Sequence, residues 1–280
     1  MRRDWSEREV LLVVEAYFEM LGLELRGIEY NKTEYRRRLI PLLDGRSNAS
    51  IELKHENISA ILRQAGFPYI DGYKPLPNYQ RLLADLVLDR LGAAKNLTQQ
   101  VEAMARGGVS KSVLELAHSD DLEVDPPGRQ EVESIREYSP GRGKTELFDY
   151  ATRDAENAKL GSLGEQFIME WERHKLRRAG RLDLARKIEW VAREQPSAGF
   201  DVRSFDLAGK ELLIEVKTTK FNARFPFMIT RNEVAVSERC SEVYRLYRLF
   251  RFNGNPRFFV VPGAVSQAFR LDPRIFEARR

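Results

Sequence analysis

Residues 199–220 read GFDVRSFDLAGKELLIEVKTTK. This stretch predicts a strand over Gly199–Asp206, a short turn at Leu207–Lys210 that contains a glycine, and an apolar-rich strand over Glu211–Thr219. Successive side chains of a strand point to opposite faces, so Glu215 and Lys217 share one face while Val216 faces away, with its backbone carbonyl still available to a metal. Asp201 lies on the preceding strand, and a hairpin brings it beside Glu215. Two converging carboxylates form an oxygen-rich site of the kind that holds Mg²⁺ or Mn²⁺. A divalent cation there suits phosphodiester cleavage, because it polarises the phosphate and lowers the pKa of water. Lys217 would orient that water and stabilise developing charge, and Glu165, at the start of an earlier helix, would add a carboxylate from a third direction. The bare Glu-x-Lys pattern is common, and Glu52-Leu53-Lys54 also matches it. That copy falls in a helical pattern, where residues two apart do not share a face. The copy at Glu215 sits in a strand, fourteen residues after Asp201.

Around this hairpin the second half reads as mixed α and β. Leu163, Phe167, Ile168 and Trp171 mark one helix, and Leu184, Ile188 and Val191 mark another. Phe225–Ile229 reads as a third strand. Thr230 and Glu233 have capping-box spacing, so a helix starts at Arg231. Val243–Phe252 and Arg257–Val261 read as two further strands across the turn Asn253–Pro256. Helix–strand–strand–strand–helix–strand order implies a mixed sheet with flanking helices.

The first half is helical. Val10, Val13, Val14, Phe18 and Leu21 form an apolar face over Glu7–Leu21, with Ser6 and Glu9 as a capping box. Further helices are expected over Thr33–Leu43, from about Ser50, and over Tyr79–Leu91. Gly66–Asn78, with three prolines and two glycines, reads as a loop. A short helix is expected around Val109–Ala117, and the SDD, DPPGR and SPGRG segments read as linker. The expected organisation is therefore α+β: a mostly helical domain over 1–105, a linker over 106–147, and an α/β domain with a mixed central sheet over 148–280.

Composition narrows the function. A single cysteine, Cys240, excludes a disulfide framework and fits a reducing cytoplasm. The three histidines, His55, His118 and His174, lack zinc-site spacing. No apolar run is long enough to span a membrane, and the basic start MRRDWSEREV has no apolar stretch after it, so no signal peptide is expected. SPGRGKT is not a P-loop, because Tyr138 stands where the first glycine is required. Net charge is +4 with pI near 9.1, an excess that permits nucleic-acid binding. The residues placed to meet phosphate are Arg36, Arg37, Arg38, Lys54 and Lys74, with a second basic run over Arg173–Arg181. Tyr30, Tyr35, Tyr69 and Tyr73 are candidates for contacting a base, with core packing as the plainer role. Tyr244, Tyr247 and Phe250 alternate with arginines in what reads as a half-buried strand, its arginines facing a DNA groove.

Asp149–Gly263, through LGSLGEQFIMEWER, AGFDVRSFD, LLIEVKTTK, FPFMITRNEVAVSE and YRLYRLFRF, resembles the domain at the C-terminus of the plant protein NO VEIN, which also occurs in bacterial defence and restriction-associated proteins. That family resembles the PD-(D/E)XK nuclease superfamily. The resemblance places the superfamily motif on Asp201, Glu215 and Lys217, with Glu165 as the helix acid and Phe200 where the superfamily has proline. The N-terminal stretches WSEREVLLVVEAYFEMLGLELRGIEYNKTEYRRRL and IELKHENISAILRQAGFPYIDGYKPLPNYQ resemble a helical domain that precedes nuclease modules in bacterial restriction-like proteins, which implies recognition of DNA or of modified bases.

The function expected from residues and resemblance together is a Mg²⁺- or Mn²⁺-dependent endonuclease of double-stranded DNA in restriction or phage defence, with a homodimer as one way to cut both strands. Two rivals are a catalytically inactive nuclease fold that binds DNA or protein, and a regulator whose N-terminal helices bind operator DNA without metal.

Overall fold

The computed structural model describes residues 4–128 and 158–272. They form two compact units, one over 4–107 and one over 108–128 with 158–272. No described helix is long and apolar enough to cross a membrane.

The first unit is all helical: α1 (Glu7–Leu25), α2 (Lys32–Leu39), α3 (Asn48–Gln64), α4 (Arg81–Ala93) and α5 (Lys95–Arg106). The expected capping box at Ser6 and Glu9 is present, and the Glu9 carboxylate also takes Arg46 Nε at 2.8 Å. The helix expected over Thr33–Leu43 ends early. Ile40–Leu42 tightens into a 3₁₀ turn around Pro41, which has no N–H to continue the α-helical ladder. The Gly66–Asn78 loop is tied to α3 and α1. Asn57 Nδ2 donates to Leu76 O at 2.8 Å, and the fully buried Tyr17 hydroxyl takes Ile70 N at 3.0 Å.

In the second unit, β1 (Glu189–Trp190), β2 (Val202–Phe205), β3 (Glu211–Thr218), β4 (Tyr244–Phe250) and β5 (Arg257–Pro262) form one sheet in the order β1-β2-β3-β4-β5. All neighbouring pairs are antiparallel except β3 and β4. Parallel neighbours need a crossover, and the chain between these two carries the helix Arg231–Arg239.

The remaining helices are α6 (Ala158–Arg178), two single turns α7 (Leu182–Ala185) and α8 (Val191–Glu194), α9 (Arg231–Arg239) and the turn α10 (Val265–Ala268). The sheet separates two apolar clusters. Ile214 and Val216 of β3 meet Phe167, Ile168 and Trp171 of α6 on one face, while Leu213 joins Val236 of α9 and Val265 of α10 on the other. By strand alternation Glu215 and Lys217 lie on the α9 side.

Three expectations are corrected. Residues 184–191 do not form one helix. The chain extends at Glu189–Trp190 to pair with Arg203 and Val202, leaving a helical turn on each side. Phe225–Ile229 is not a strand. Both edges of β3 are occupied, by β2 and β4, so this segment has no edge to join. The strands preceding α9 are β1, β2 and β3, but the turn α8 separates β1 from β2, so the expected run of three consecutive strands between two helices is not present. Of the described part of the expected linker, 106–128, residues 108–128 belong to the second unit. Its 3₁₀ helix Lys111–His118 and the following turn bury Val113, Ala117 and Leu122 beside Phe167 and Phe258. Val124 N then donates to Phe258 O at 2.9 Å on the edge strand β5. The polar residues and prolines between these few apolar anchors hid the segment in the sequence. The remaining linker residues, 129–147, and the SPGRGKT run lie outside the described residues.

Gly164 is the contact that sets α6 against β3. A Cβ there would stand 2.9 Å from Thr218 Cβ and closer still to its hydroxyl. Gly164→Ala is expected to destabilise the chain by about 1–3 kcal/mol through this overlap. Gly161→Ala, whose Cβ would meet only the Glu165 carboxylate at 3.7 Å, is expected to be neutral or to gain up to about 1 kcal/mol from helix propensity. Urea denaturation of both variants checks this; equal effects would refute the close approach.

Candidate active site

The site forms just before the start of β2, where β3 continues past it. Their pairing ends at Val202 opposite Ile214. One residue earlier, Asp201 N donates to Ile214 O at 2.8 Å, while Asp201 Oδ2 accepts from Val216 N at 2.8 Å. The aspartate side chain thus takes the place of the missing strand neighbour. Backbone N–H and C=O groups of alternate strand residues point to the same side, so the Val216 carbonyl is directed toward Asp201 as well. Gly199 makes the approach possible. Its φ of +80° is a left-handed conformation, and an added Cβ would stand 2.6 Å from Val236 Cγ2 on α9.

On the α9 side of β3, Lys217 Nζ lies 2.7 Å from Glu215 Oε1 and 2.8 Å from Glu233 Oε2. Glu215 is 1% exposed. Glu233 is the residue that the sequence reading missed. It was recognised only as the third residue of a capping box, which it does form. Thr230 N donates to Glu233 Oε2 at 2.9 Å, and Glu233 N donates to Thr230 Oγ1 at 3.2 Å. The signal was present in the spacing, but a capping role gives no hint that the same oxygen also meets a lysine from β3.

Glu165 comes from α6, on the other face of the sheet. Its Oε2 accepts from Trp190 Nε1 at 2.5 Å, and the Arg193 guanidinium lies 3.8 Å from the centre of the Trp190 ring. Glu165 makes no described hydrogen bond to Asp201, Glu215 or Lys217, but its charge is felt at Asp201.

The protonation equilibria follow from burial and crowding. Burial raises the Asp201 pKa and the nearby Glu165 charge raises it further. Lys217 and the Val216 N–H oppose the rise, and the result is about 7. Burial drives Glu215 well above the usual carboxylate range against the pull of Lys217. Glu165 is also raised by burial, with partial relief from Trp190 and Lys217. For Lys217 burial opposes the charge, but Glu215, Glu233 and Asp201 outweigh it and the pKa rises.

The donor set fits a hard divalent cation: the Asp201 and Glu215 carboxylates with the Val216 carbonyl. These carboxylates are also the acids whose charge is least favourable without a cation. Among the described residues, no group of three or more His, Cys, Asp or Glu side chains has the arrangement to hold a metal. The rings of His118 and His174, distant in sequence, come together at 5.3 Å but without a third ligand.

The residues expected to meet nucleic acid divide. Arg37 and Lys74 are exposed. Arg38 lies over the Tyr35 ring and 3.7 Å from Glu19. Arg36 pairs with Glu52. Lys54 is 7% exposed and donates to Gln80 Oε1 at 2.9 Å, so it braces the loop rather than facing solvent. Tyr69 and Tyr73 are buried, which fits core packing. β4 is corrected from half-buried to buried on both faces. Its Arg248 is 1% exposed and donates to Lys217 O and Phe225 O, so it faces the protein interior and not a groove.

An acid whose folded pKa lies above its unfolded value contributes stability that is present below the unfolded pKa and lost as pH rises through the folded one. For Asp201 that window runs from about pH 4 to about pH 7. In the presence of EDTA, Asp201→Asn is expected to flatten the fall in stability across this window and to be at least about 1 kcal/mol more stable than the parent above pH 7.5. Urea denaturation between pH 4.5 and 8 measures it, and parallel curves for the two proteins would contradict it.

No curated protein and no solved structure matches the chain significantly. Over residues 164–261, from Gly164 on α6 to Val261 on β5, the chain matches the family model described as the C-terminal domain of protein NO VEIN, within the Asp149–Gly263 stretch that the sequence motifs mark out.

Proposed function

We propose that the second unit is a Mg²⁺- or Mn²⁺-dependent endonuclease of double-stranded DNA, plain or modified, serving restriction or phage defence, with the helical unit selecting the DNA. The observation that carries this reading is the convergence of Asp201, Glu215 and Lys217 at the point where β2 stops pairing with β3. Asp201, Glu215 and the Val216 carbonyl would hold the cation. The cation supplies Lewis acidity at the phosphate and a lowered pKa for water. The chain's own part is positioning and charge. The Asp201 and Glu215 carboxylates would fix the place of the cation, and through it that of the scissile phosphate, and the Lys217 ammonium would orient the attacking water and offset negative charge that develops on the phosphoryl oxygens. Glu165, held by Trp190, adds negative field at the Asp201 end. Of the cations that the sequence singles out, Arg37 and Lys74 are exposed and would meet the phosphate backbone. A homodimer would let two such sites cut both strands.

A second reading has one observation in its favour: both partners of the central pair are satisfied internally, Lys217 by Glu215 and Glu233. An inactive nuclease fold that binds DNA would keep that closed arrangement.

Incubation with plasmid and phage DNA, modified and unmodified, in Mg²⁺, Mn²⁺ or EDTA separates the readings. Metal-dependent cleavage is expected, with Asp201→Ala and Lys217→Ala each slower by about 100-fold or more. Cleavage that survives both substitutions would place the activity elsewhere. DNA binding in EDTA without any cleavage would favour the inactive fold.

A further inference from the structure

We infer that Glu233 is a positioning residue for Lys217, holding its ammonium so that a divalent cation can be accepted at Asp201 and Glu215; this rests on the metal-dependent reading above. One ammonium is shared between two carboxylates, at 2.7 Å and 2.8 Å. A cation arriving at Glu215 competes with Lys217 for the same carboxylate. The ammonium is 17% exposed at its side chain, and a charge in so dry a place is not displaced unless another acceptor takes it. Glu233 is already in contact and can take the whole of it.

Glu233 is also unable to follow the lysine toward Glu215. Its Oε2 accepts from Thr230 N while its own N–H is held by Thr230 Oγ1, so the carboxylate is fixed to the first turn of α9. The lysine moves between two acceptors, and the acceptor from α9 stays in place. With Glu233 neutral, the attraction of the ammonium would fall on Glu215 and oppose the incoming cation. The capping box gives the means to separate this role from a structural one, because glutamine serves at the third helical position as glutamate does. Glu233→Gln therefore keeps the cap and removes the charge.

The test is Mn²⁺ titration of the full chain by calorimetry, without DNA, for the parent, Glu233→Gln, Lys217→Met and the double variant. Asp201→Asn serves as the control for the site. Glu233→Gln is expected to weaken Mn²⁺ binding about tenfold, a size typical of coupled neighbours. In the Lys217→Met background the same change is expected to alter affinity by less than about twofold, since the lysine that transmits it is gone. Glu233→Asp, which keeps the charge on a shorter arm, is expected to bind within about threefold of the parent, and weakening as large as that of Glu233→Gln would count against a role for the charge. Equal weakening in both backgrounds would overturn the inference, because Glu233 would then act through its own field or through the fold. Unchanged affinity in Glu233→Gln would also overturn it while leaving the cleavage reading intact. Absence of Mn²⁺ binding to the parent, with the protein folded, would overturn both.

Discussion

Four carboxylates, Asp201, Glu215, Glu233 and Glu165, act on one ammonium, that of Lys217, and this charge imbalance constrains how the second unit is put together. The electrostatic influence of Lys217 reaches Asp201, Glu215 and Glu165, yet none of these acids falls back to the ordinary carboxylate range. Burial therefore outweighs the positive charge of Lys217, which Arg193 assists at Glu165. The geometry that holds the acids together has to come from elsewhere: from strand alternation for Glu215 and Lys217, from the end of a hairpin for Asp201, from a helix cap for Glu233, and from an indole N–H for Glu165.

The end of β3 needs its own support, since β2 no longer pairs with it there. Arg248 supplies it from the neighbouring parallel strand. Its guanidinium donates to Lys217 O at 3.0 Å and to Phe225 O at 2.9 Å and sits over the Phe227 ring. It thereby fixes the backbone of the lysine and the start of the segment leading to α9. Thr219 N bonds to Leu249 O, Phe252 N to Thr219 O and Arg251 N to Phe221 O, so the chain leaving β3 is held to the chain leaving β4 before it turns back toward the helix. A buried arginine costs desolvation energy that only good hydrogen bonds offset. Here they join the three pieces of chain that must stay in register for Lys217 to meet Glu233.

Much of this was legible in the sequence, and the parts that were not have physical causes. The hairpin, the β3 alternation and both capping boxes are local signals, and the structure contains them at Ser6, Thr230, Asp201, Glu215 and Lys217. Trp190 was hidden because a two-residue strand has no period to detect, and the apolar spacing of Leu184, Ile188 and Val191 imitates a helix when it only marks which residues turn inward. Arg248 was misassigned because arginines alternating with aromatics suggest one wet face, whereas β4 is covered on both faces and its arginine is satisfied by backbone carbonyls that sequence does not locate. Lys54 was misassigned for a related reason: a lysine between Glu52 and Glu56 on a charged stretch of helix looks solvated until the segment carrying Gln80 folds over it. The partnership of Glu233 and Lys217 joins residues from a helix and a strand and leaves no mark on the spacing of either.

The cost of the cluster bears on what it is for. A buried ion pair is often replaceable by apolar residues of similar size with no loss of stability, because desolvation offsets most of the attraction between the charges. The neighbours of Glu215 and Lys217 would accommodate such a replacement. Leu213 precedes them on the same face of β3, and Leu246 and Tyr244 of β4 are fully buried beside it. Asp201 adds to the cost, since its pKa of about 7 leaves it readily protonated near neutrality in the absence of a counter-charge. A site arranged only for stability would not gather acids that raise one another's pKa. The arrangement is one in which an added positive charge relieves the greatest repulsion, at the Asp201 and Glu215 carboxylates, and in which the one cation already present has a second acceptor to move to.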